Sequence, residues 1–431
     1  MTRLLYSLLM WLAQPLLRRK LARRGVREPG YLQAVEERFG RYHAPAPAAD
    51  GNSVWVHAVS LGETRAVALL VQRLRQRLPG MRLVLTHGTA TGRAEGARLL
   101  LSGDLQSWQP WDTPGAARRF LDHFRPRIGI LMETEIWPNL AFACQRAGVP
   151  LVLANARMSE KSQRWTNHLD WLARPAYRSL TAVWAQTKDD AARLATLGAD
   201  VRGVFGNLKF DSTPDAAQWA AGRAWHDRAG RPIVMLASSR AGEELALLQI
   251  LSASADRDGL VQWLIVPRHP HRFDEVAALI EQQGFVLSRR SSWREAPADA
   301  IGAARPTIWL GDSMGEMALY YALADVALLG GSFEPLGGQN LIEAAACDCP
   351  VVMGPHTFNF AEAAELAAAA GAAQRASDLS AAVGVAQALA RDDERLEAAR
   401  RATDAFARAH QGAVERLAEA IEQVLTGLTV R

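Results

Sequence analysis

Short apolar runs alternate with longer amphipathic stretches along most of the chain. The runs at 54–59, 83–86, 128–132, 151–154 and 182–185 have the length and composition of buried strands, with helical patterns such as 65–78 between them. A second series follows at 233–237, 263–266, 307–310, 326–329 and 351–353. Continuous apolar runs suit strands covered on both faces, and strand–helix alternation predicts parallel, doubly wound sheets. The segment 206–214 breaks the alternation. Two Rossmann-like domains are therefore expected, over 50–205 and 223–390, joined through 206–222 and facing each other across a cleft. After Phe360 the sequence is alanine-rich, and helices are predicted over 361–370 and 392–425, the last 41 residues (391–431) forming a C-terminal helical segment.

The N-terminus departs from this pattern. From Leu4 to Leu17 it is apolar apart from Tyr6, Ser7 and Gln14, and Arg18-Arg19-Lys20 and Arg23-Arg24 follow at once. A membrane span needs roughly 20 apolar residues, and a secretory signal places its charge before the apolar run. Residues 1–24 are instead expected to form a helix lying in, or dipping into, a cytoplasmic leaflet, its basic cluster on anionic head groups. An amphipathic helix packed on its own domain is the other reading.

Composition narrows the class. A chain of 431 residues, 49% apolar and 22% charged, is too long for one core and too apolar for disorder. Three cysteines, Cys144, Cys347 and Cys349, form no ladder of spacings, which argues against a disulfide framework or a structural zinc site and for a reducing compartment. The net charge of +4 is modest, so the placement of the basic residues matters more than their sum.

Candidate chemistry gathers where strands end. Gly330-Gly331-Ser332-Phe333-Glu334-Pro335-Leu336-Gly337-Gly338-Gln339-Asn340-Leu341-Ile342-Glu343 reads as a strand-to-helix loop that a phosphorylated ligand could approach. Asn340 and Glu343, three apart, could face one bound molecule, Glu343 accepting from ribose hydroxyls; a first-turn carboxylate stabilised by the helix dipole is the alternative. Ser60 and Glu63 have capping-box spacing, although Glu63 could also take a proton from an attacking hydroxyl. Gly62 within that box costs a helix roughly 1 kcal/mol against alanine, so it is more at home where a backbone meets a ligand. Glu133 and Glu135 would share a face if their strand continued, with Glu135 orienting something in the cleft. Arg157 is free to meet a phosphate or to pair with one of these carboxylates. In the second half, Ser238-Ser239-Arg240 with Glu243-Glu244 is another anion-binding helix start. The segment Pro267-Arg268-His269-Pro270-His271-Arg272 favours phosphate over metal, because its arginines repel a cation. Gly311-Asp312-Ser313-Met314-Gly315-Glu316-Met317 is a third loop at the same sheet edge. Asp256-Arg257-Asp258 has the D-x-D spelling of metal-dependent glycosyltransferases but precedes a strand, and reads as a solvated turn.

Taken in order, Ser60-Leu61-Gly62-Glu63, Glu133-Thr134-Glu135-Ile136-Trp137-Pro138-Asn139, Asn155-Ala156-Arg157-Met158-Ser159, Gly206-Asn207-Leu208-Lys209, Pro267-Arg268-His269-Pro270, Asp312-Ser313-Met314-Gly315-Glu316 and Gly337-Gly338-Gln339-Asn340-Leu341-Ile342-Glu343 resemble the Kdo transferases of lipopolysaccharide synthesis. These enzymes move 3-deoxy-D-manno-octulosonic acid (Kdo) from CMP-Kdo onto the lipid A precursor. The resemblance runs to about Phe360. It implies a GT-B fold and inverting transfer with neither metal nor cofactor. It also implies a lipid acceptor on the N-terminal domain, CMP on the C-terminal domain, and a place on the cytoplasmic side of the inner membrane, with no nucleic-acid partner. On that basis Glu63 is the expected base and Glu135 a second acidic residue. Ser60, Gly62 and Arg157 would serve the acceptor, and Ser239, Arg268, His269, Met314, Gly315, Glu316, Gln339, Asn340 and Glu343 the donor. Two departures stand out: Ser238-Ser239-Arg240 lies where threonine and histidine are common, and Ser313 replaces a usual threonine. Both keep hydrogen-bonding capacity. A nucleotide-sugar epimerase of the same architecture is the alternative, and a non-catalytic lipid-binding protein a third.

Overall fold

The computed structural model describes residues 2–43, 45–48, 51–253, 260–294, 297 and 306–429. The chain divides into two compact units, Met1–Asp211 with Gln411–Arg431, and Ser212–His410. Asp256-Arg257-Asp258 lies outside the described residues.

Seven parallel strands form the sheet of the first unit: β1 (Ser53–His57), β2 (Arg82–His87), β3 (Leu105–Trp108), β4 (Ile128–Met132), β5 (Leu151–Ala156), β6 (Ala182–Ala185) and β7 (Val201–Val204). Their order is β3-β2-β1-β4-β5-β6-β7. Because side chains alternate across a strand, Val54 and Val56 of β1 enter one core, with Leu70 and Leu74. Trp55 enters the other, with Phe120 and Tyr177. The second unit repeats the plan with β8 (Ile233–Ser239), β9 (Gln262–Pro267), β10 (Val286–Arg289), β11 (Thr307–Leu310), β12 (Val326–Leu329), β13 (Val351–Met353) and β14 (Ala373–Arg375), in the order β10-β11-β9-β8-β12-β13-β14. In each sheet the winding reverses beside the first strand, between β1 and β4 and between β8 and β12. Loops after the strands flanking such a switch point are where ligands bind in open α/β sheets.

Four strands have no counterpart in the apolar runs: β3, β7, β10 and β14, the outermost strand on each side of both sheets. Edge strands are only partly covered, so Val201–Val204 alternates half-buried with exposed positions and presents no continuous apolar run.

The division between the units, at Asp211 and Ser212, falls within the expected linker 206–222, both ends of which are packed. Leu208 and Phe210 are buried in the first unit, and residues 216–222 begin the helix Ala216–Ala229, where Gly222 meets the helix Met317–Leu323 so closely that a Cβ would lie 2.4 Å from the Leu319 carbonyl. The helix expected over 392–425 is two, Asp393–His410 and Ala413–Thr429. Gly412 separates them with φ +88°, a left-handed turn that favours glycine, and donates its N–H to Asp211. The last helix belongs to the first unit, where Ala413, Leu417, Ile421 and Leu425 pack into the core beside Leu70 and Leu74.

The N-terminal segment forms helices α1 (Thr2–Leu12) and α2 (Gln14–Arg27). Among the described residues no helix is long and apolar enough to cross a membrane. On α1, Ser7 donates to Asn139 at 2.9 Å, and Arg3 lies over the Phe142 ring. Leu4, Leu5, Leu8, Leu9, Trp11 and Leu12 are all more than half exposed.

Candidate active site

The loop after β1 holds Ser60 and Glu63 at the start of α3 (Leu61–Arg77). Ser60 is the N-cap: its Oγ accepts the Glu63 N–H at 3.3 Å and donates to Glu63 Oε1 at 3.0 Å. Glu63 Oε2 accepts from the Val59 N–H at 2.9 Å, one residue earlier than in an ordinary capping box. The cap is formed, and it leaves the carboxylate perturbed. Burial, aided by the charges of Glu133 and Glu135, pushes Glu63 up to about 7, outweighing the hydrogen bonds that favour its ionised form. A carboxylate titrating near neutrality is suited to general-base work. Gly62 is exposed, and a Cβ there would meet nothing within 4 Å. Among the described residues no packing requires glycine at this position.

Glu133 ends β4 in a left-handed conformation, φ +55°, so the strand does not continue and Glu133 and Glu135 do not act as a same-face pair. Glu133 faces Lys209, 3.5 Å from its Oε1. Glu135 lies close enough to Tyr177 for its charge to bear on that phenol, and burial raises its own pKa. Asn155, also left-handed at φ +51°, accepts the Leu208 N–H on its Oδ1 at 3.1 Å, which hooks residues 207–209 onto the strand ends. That contact carries Lys209 to the site. Arg157 donates its backbone N–H to the Glu133 carbonyl at 3.1 Å. Its side chain forms no ion pair among the described residues; Lys209 takes the carboxylate that Arg157 was open to pairing with.

In the second unit Gly330 passes so close to β8 that a Cβ would lie 2.6 Å from the carbonyl oxygens of Ala237 and Ser238. Glu243, almost wholly buried, accepts the Gly331 N–H on both oxygens at 2.8 and 2.9 Å and the Arg240 N–H at 2.9 Å. One carboxylate thereby ties together the two loops that flank the switch point. Its neighbour Glu244 is paired with Arg272 at 2.6 Å and accepts from the Ser239 hydroxyl at 2.7 Å. The Ser239 proton and the Arg272 guanidinium are thus committed inside the protein, and the expected four-membered phosphate cluster loses Arg272. Arg268, His269 and His271 remain. Arg240 joins them: burial lowers the pKa of His269, and the nearby charge of Arg240 lowers it further, with those of Arg268, His271 and Arg272. Neither Arg240 nor Arg268 has an ion-pair partner among the described residues.

Asn340 caps the short helix Leu341–Ala346, accepting the Ile342 N–H at 3.1 Å, and its amide donates to Glu343 Oε1 at 3.0 Å. The two face each other, and Glu343 Oε2 has no hydrogen-bond partner among the described residues. A six-residue helix contributes little macrodipole, so Glu343 is held by Asn340 more than by the helix. In the third loop Glu316 pairs with Arg290 at 2.8 Å and accepts from Ser313. Gly315, at φ +79°, accepts from Gln218 at 2.9 Å, and Met314 is 63% exposed. Gln339 lies beside Gly331, its amide nitrogen 3.1 Å from where a Cβ would stand. The sequence places Arg240 and Glu243 at an anion-binding helix start and Lys209 in a linker, but only tertiary contacts bring Glu243 to Gly331 and Lys209 to Glu133.

Two seven-stranded parallel sheets, each carrying its polar loops at a switch point, give the chain a GT-B architecture. The same arrangement is seen in a glycosyltransferase from Rickettsia africae ESF-5 (TM-score 0.54, 12% identity, 87% of this chain and 99% of that one). It also appears in a UDP-GlcNAc 2-epimerase from Neisseria meningitidis bound to UDP-GlcNAc (TM-score 0.54, 12% identity, 86% and 100%), so the fold by itself does not separate transferase from epimerase. Sequence separates them. The family model for 3-deoxy-D-manno-octulosonic-acid transferase (kdotransferase) matches residues 33–212. The 3-deoxy-D-manno-octulosonic acid transferase of Bordetella pertussis is 48% identical over 396 residues, 90% of this chain and 91% of that protein. The chain belongs to the 3-deoxy-D-manno-octulosonic acid transferase family.

Proposed function

We propose that the chain transfers Kdo from CMP-Kdo to the lipid A precursor lipid IVA, in a single inverting displacement that requires no metal, at the cytoplasmic face of the inner membrane. Glu63 carries the reading. A sugar hydroxyl is a poor nucleophile at neutral pH, and a partly buried carboxylate titrating at about 7 is matched to removing its proton as the new bond forms. The acceptor oxygen bonds to the anomeric carbon of Kdo, its proton passes to Glu63, and the bond from that carbon to the CMP phosphate oxygen breaks with its electron pair going to CMP. Arg240 and Arg268 suit the phosphate that takes up this charge, because no carboxylate of the described chain neutralises them. Asn340 and the free oxygen of Glu343 suit the ribose hydroxyls. The exposed apolar side of α1 supports a lipid-borne acceptor and a membrane location.

The test is incubation of the full chain with radiolabelled CMP-Kdo, with and without lipid IVA, followed by mass spectrometry of the lipid. The expected result is CMP release that depends on the lipid, with Kdo appearing on it. Turnover of CMP-Kdo with no lipid product would reject the proposal.

A further inference from the structure

The first unit contains an open cavity of about 530 Å³ that the displacement at Glu63 leaves unused. Its walls come from Tyr6 of α1, from Thr134 and Ile136 in the loop after β4, and from Trp165, Leu169 and Tyr177 on the helical segment after β5. The volume is that of a small-molecule site. Three of its hydroxyls are already bonded within the protein. The Tyr6 hydroxyl donates to Asp112, the Thr166 hydroxyl donates to the Ser162 carbonyl at 2.8 Å, and the Ser162 hydroxyl is bonded to that of Ser159 at 2.9 Å. A peptide placed here would leave its own backbone groups unpaired, whereas an alkyl chain would lose nothing.

Apolar surface also continues outward. Trp165 is 70% exposed and Leu169 44%, and Tyr6 belongs to the same helix whose apolar side chains face solvent. Exposed apolar surface contiguous with a cavity marks a binding surface, and here it gives a hydrocarbon chain a route inward that avoids water. Lys161 lines the cavity, is itself exposed, and has no ion-pair partner among the described residues, which suits an anionic head group at the mouth.

We propose that this cavity takes one acyl chain of the lipid acceptor and so sets the acceptor's sugar beside Glu63, an inference that rests on the lipid-acceptor reading above. The loop after β4 makes the connection. Thr134 and Ile136 line the cavity while Glu135 between them lies near both Tyr177 and Glu63. An acyl chain held against this loop would keep its head group near the base. Binding energy gained far from the reacting hydroxyl is in this way converted into its position.

The experiment compares two acceptors with one phosphorylated disaccharide head group: a short-chain acylated form kept below its micelle concentration, so that no bilayer takes part, and the fully deacylated form. The parent should have the lower KM for the acylated form. Ala173 also lines the cavity, so Ala173→Phe fills it, and Trp165→Glu charges its mouth. Each should raise the KM for the acylated acceptor by about tenfold or more, since every methylene kept out of apolar burial weakens binding about fourfold. The KM ratio between the two acceptors should fall accordingly. Should Ala173→Phe not fold, the exposed Trp165→Glu variant decides. An acceptor brominated along its chain should in addition quench part of the parent's tryptophan fluorescence, and Trp165→Phe should abolish that part. If the parent prefers the acylated acceptor and both variants keep that preference, the cavity is not the acyl site although the lipid reading stands. A parent that transfers Kdo to neither acceptor would overturn the lipid reading itself.

Discussion

The Tyr6 hydroxyl donates to Asp112 Oδ2 at 3.0 Å, and the same carboxylate accepts the N–H groups of Asn139 and Leu140 at 3.0 and 2.9 Å. Asp112 is 1% exposed, and burial raises its pKa against those hydrogen bonds. Helix α1 is therefore fixed to its own unit through polar contacts, the reverse of a helix that packs by its apolar side. Tyr6→Phe removes one hydrogen bond to a charged group, worth about 1.5–3 kcal/mol. Its α1 amides should exchange hydrogen faster than the parent's by a corresponding factor while those of β1 and β4 do not change.

If the membrane reading of α1 holds, its exposed apolar side is the contact. Leu5, Leu8 and Leu12 lie on one stripe of α1 and are 52–57% exposed. The triple variant Leu5→Glu, Leu8→Glu, Leu12→Glu should lose most of its binding to anionic vesicles, since each leucine buried in an apolar phase contributes about 1.5–3 kcal/mol, and should melt within about 1 kcal/mol of the parent, as exposed sites do. Full co-sedimentation of the triple variant would show that α1 is not the membrane contact.

Within the second unit Asp325, 4% exposed, accepts from His226 Nε2 and the Ile233 N–H at 2.9 and 2.8 Å and pairs with Arg400. Asp325→Ala strands these partners and should cost about 3–5 kcal/mol. The hydrogen bond to Asp325 raises the pKa of His226 above 6.5, so the stabilisation from its charge is complete below 6.5 and fades as pH rises through the raised folded value. Denaturant melts at a series of pH values should show the gap between parent and variant narrowing over that window. A gap that widens would contradict the assignment.

Two arginines four positions apart should behave differently. Arg268 is exposed and has no ion-pair partner among the described residues, whereas Arg272 meets fully buried Glu244. Arg268→Ala should weaken CMP binding by calorimetry, by about tenfold or more for a lost charge-assisted contact, with no change in melting. Arg272→Ala should destabilise the fold by about 3–5 kcal/mol, because it leaves Glu244 buried without its partner. Equal effects of both on CMP affinity in folded protein would return Arg272 to the phosphate site.

What could be read from sequence follows from where side chains sit. Central strands such as Ile128–Met132 are buried on both faces and announce themselves as apolar runs, whereas the edge strand Val201–Val204 has no such run. Ser60 and Glu63 are three residues apart, so a local rule finds both their cap and their candidacy as site residues. Glu243 acquires its meaning from Gly331, 88 residues away, and Lys209 from Glu133, 76 residues away. Sequence spacing has no access to such pairs. Lys209 falls in the segment that interrupts the strand–helix alternation, and only the hold of Asn155 on Leu208 shows that it reaches Glu133.

Glu63 offers the sharpest test, because its two roles separate by pH as well as by rate. Glu63→Gln can keep the capping contacts, since glutamine serves at this position of the box. As a base the parent carboxylate must be ionised, so kcat/KM should rise with pH through about 7 and level off above it. The variant should lose that limb together with about 10²–10⁴-fold of its rate. Stability moves the opposite way. Folding raises this pKa from 4.5 to about 7, so between those values the unfolded chain gives up its proton first and the folded state loses stability as pH rises. Glutamine has no proton to lose, and its melting temperature relative to the parent should therefore increase from acidic to mildly alkaline pH. If the variant instead transfers Kdo within about tenfold of the parent, short of the loss typical for a general base, while its relative stability still shows this pH trend, Glu63 is only a strained cap. The base would then be sought at Glu135, whose pKa burial also raises and whose charge bears on Glu63.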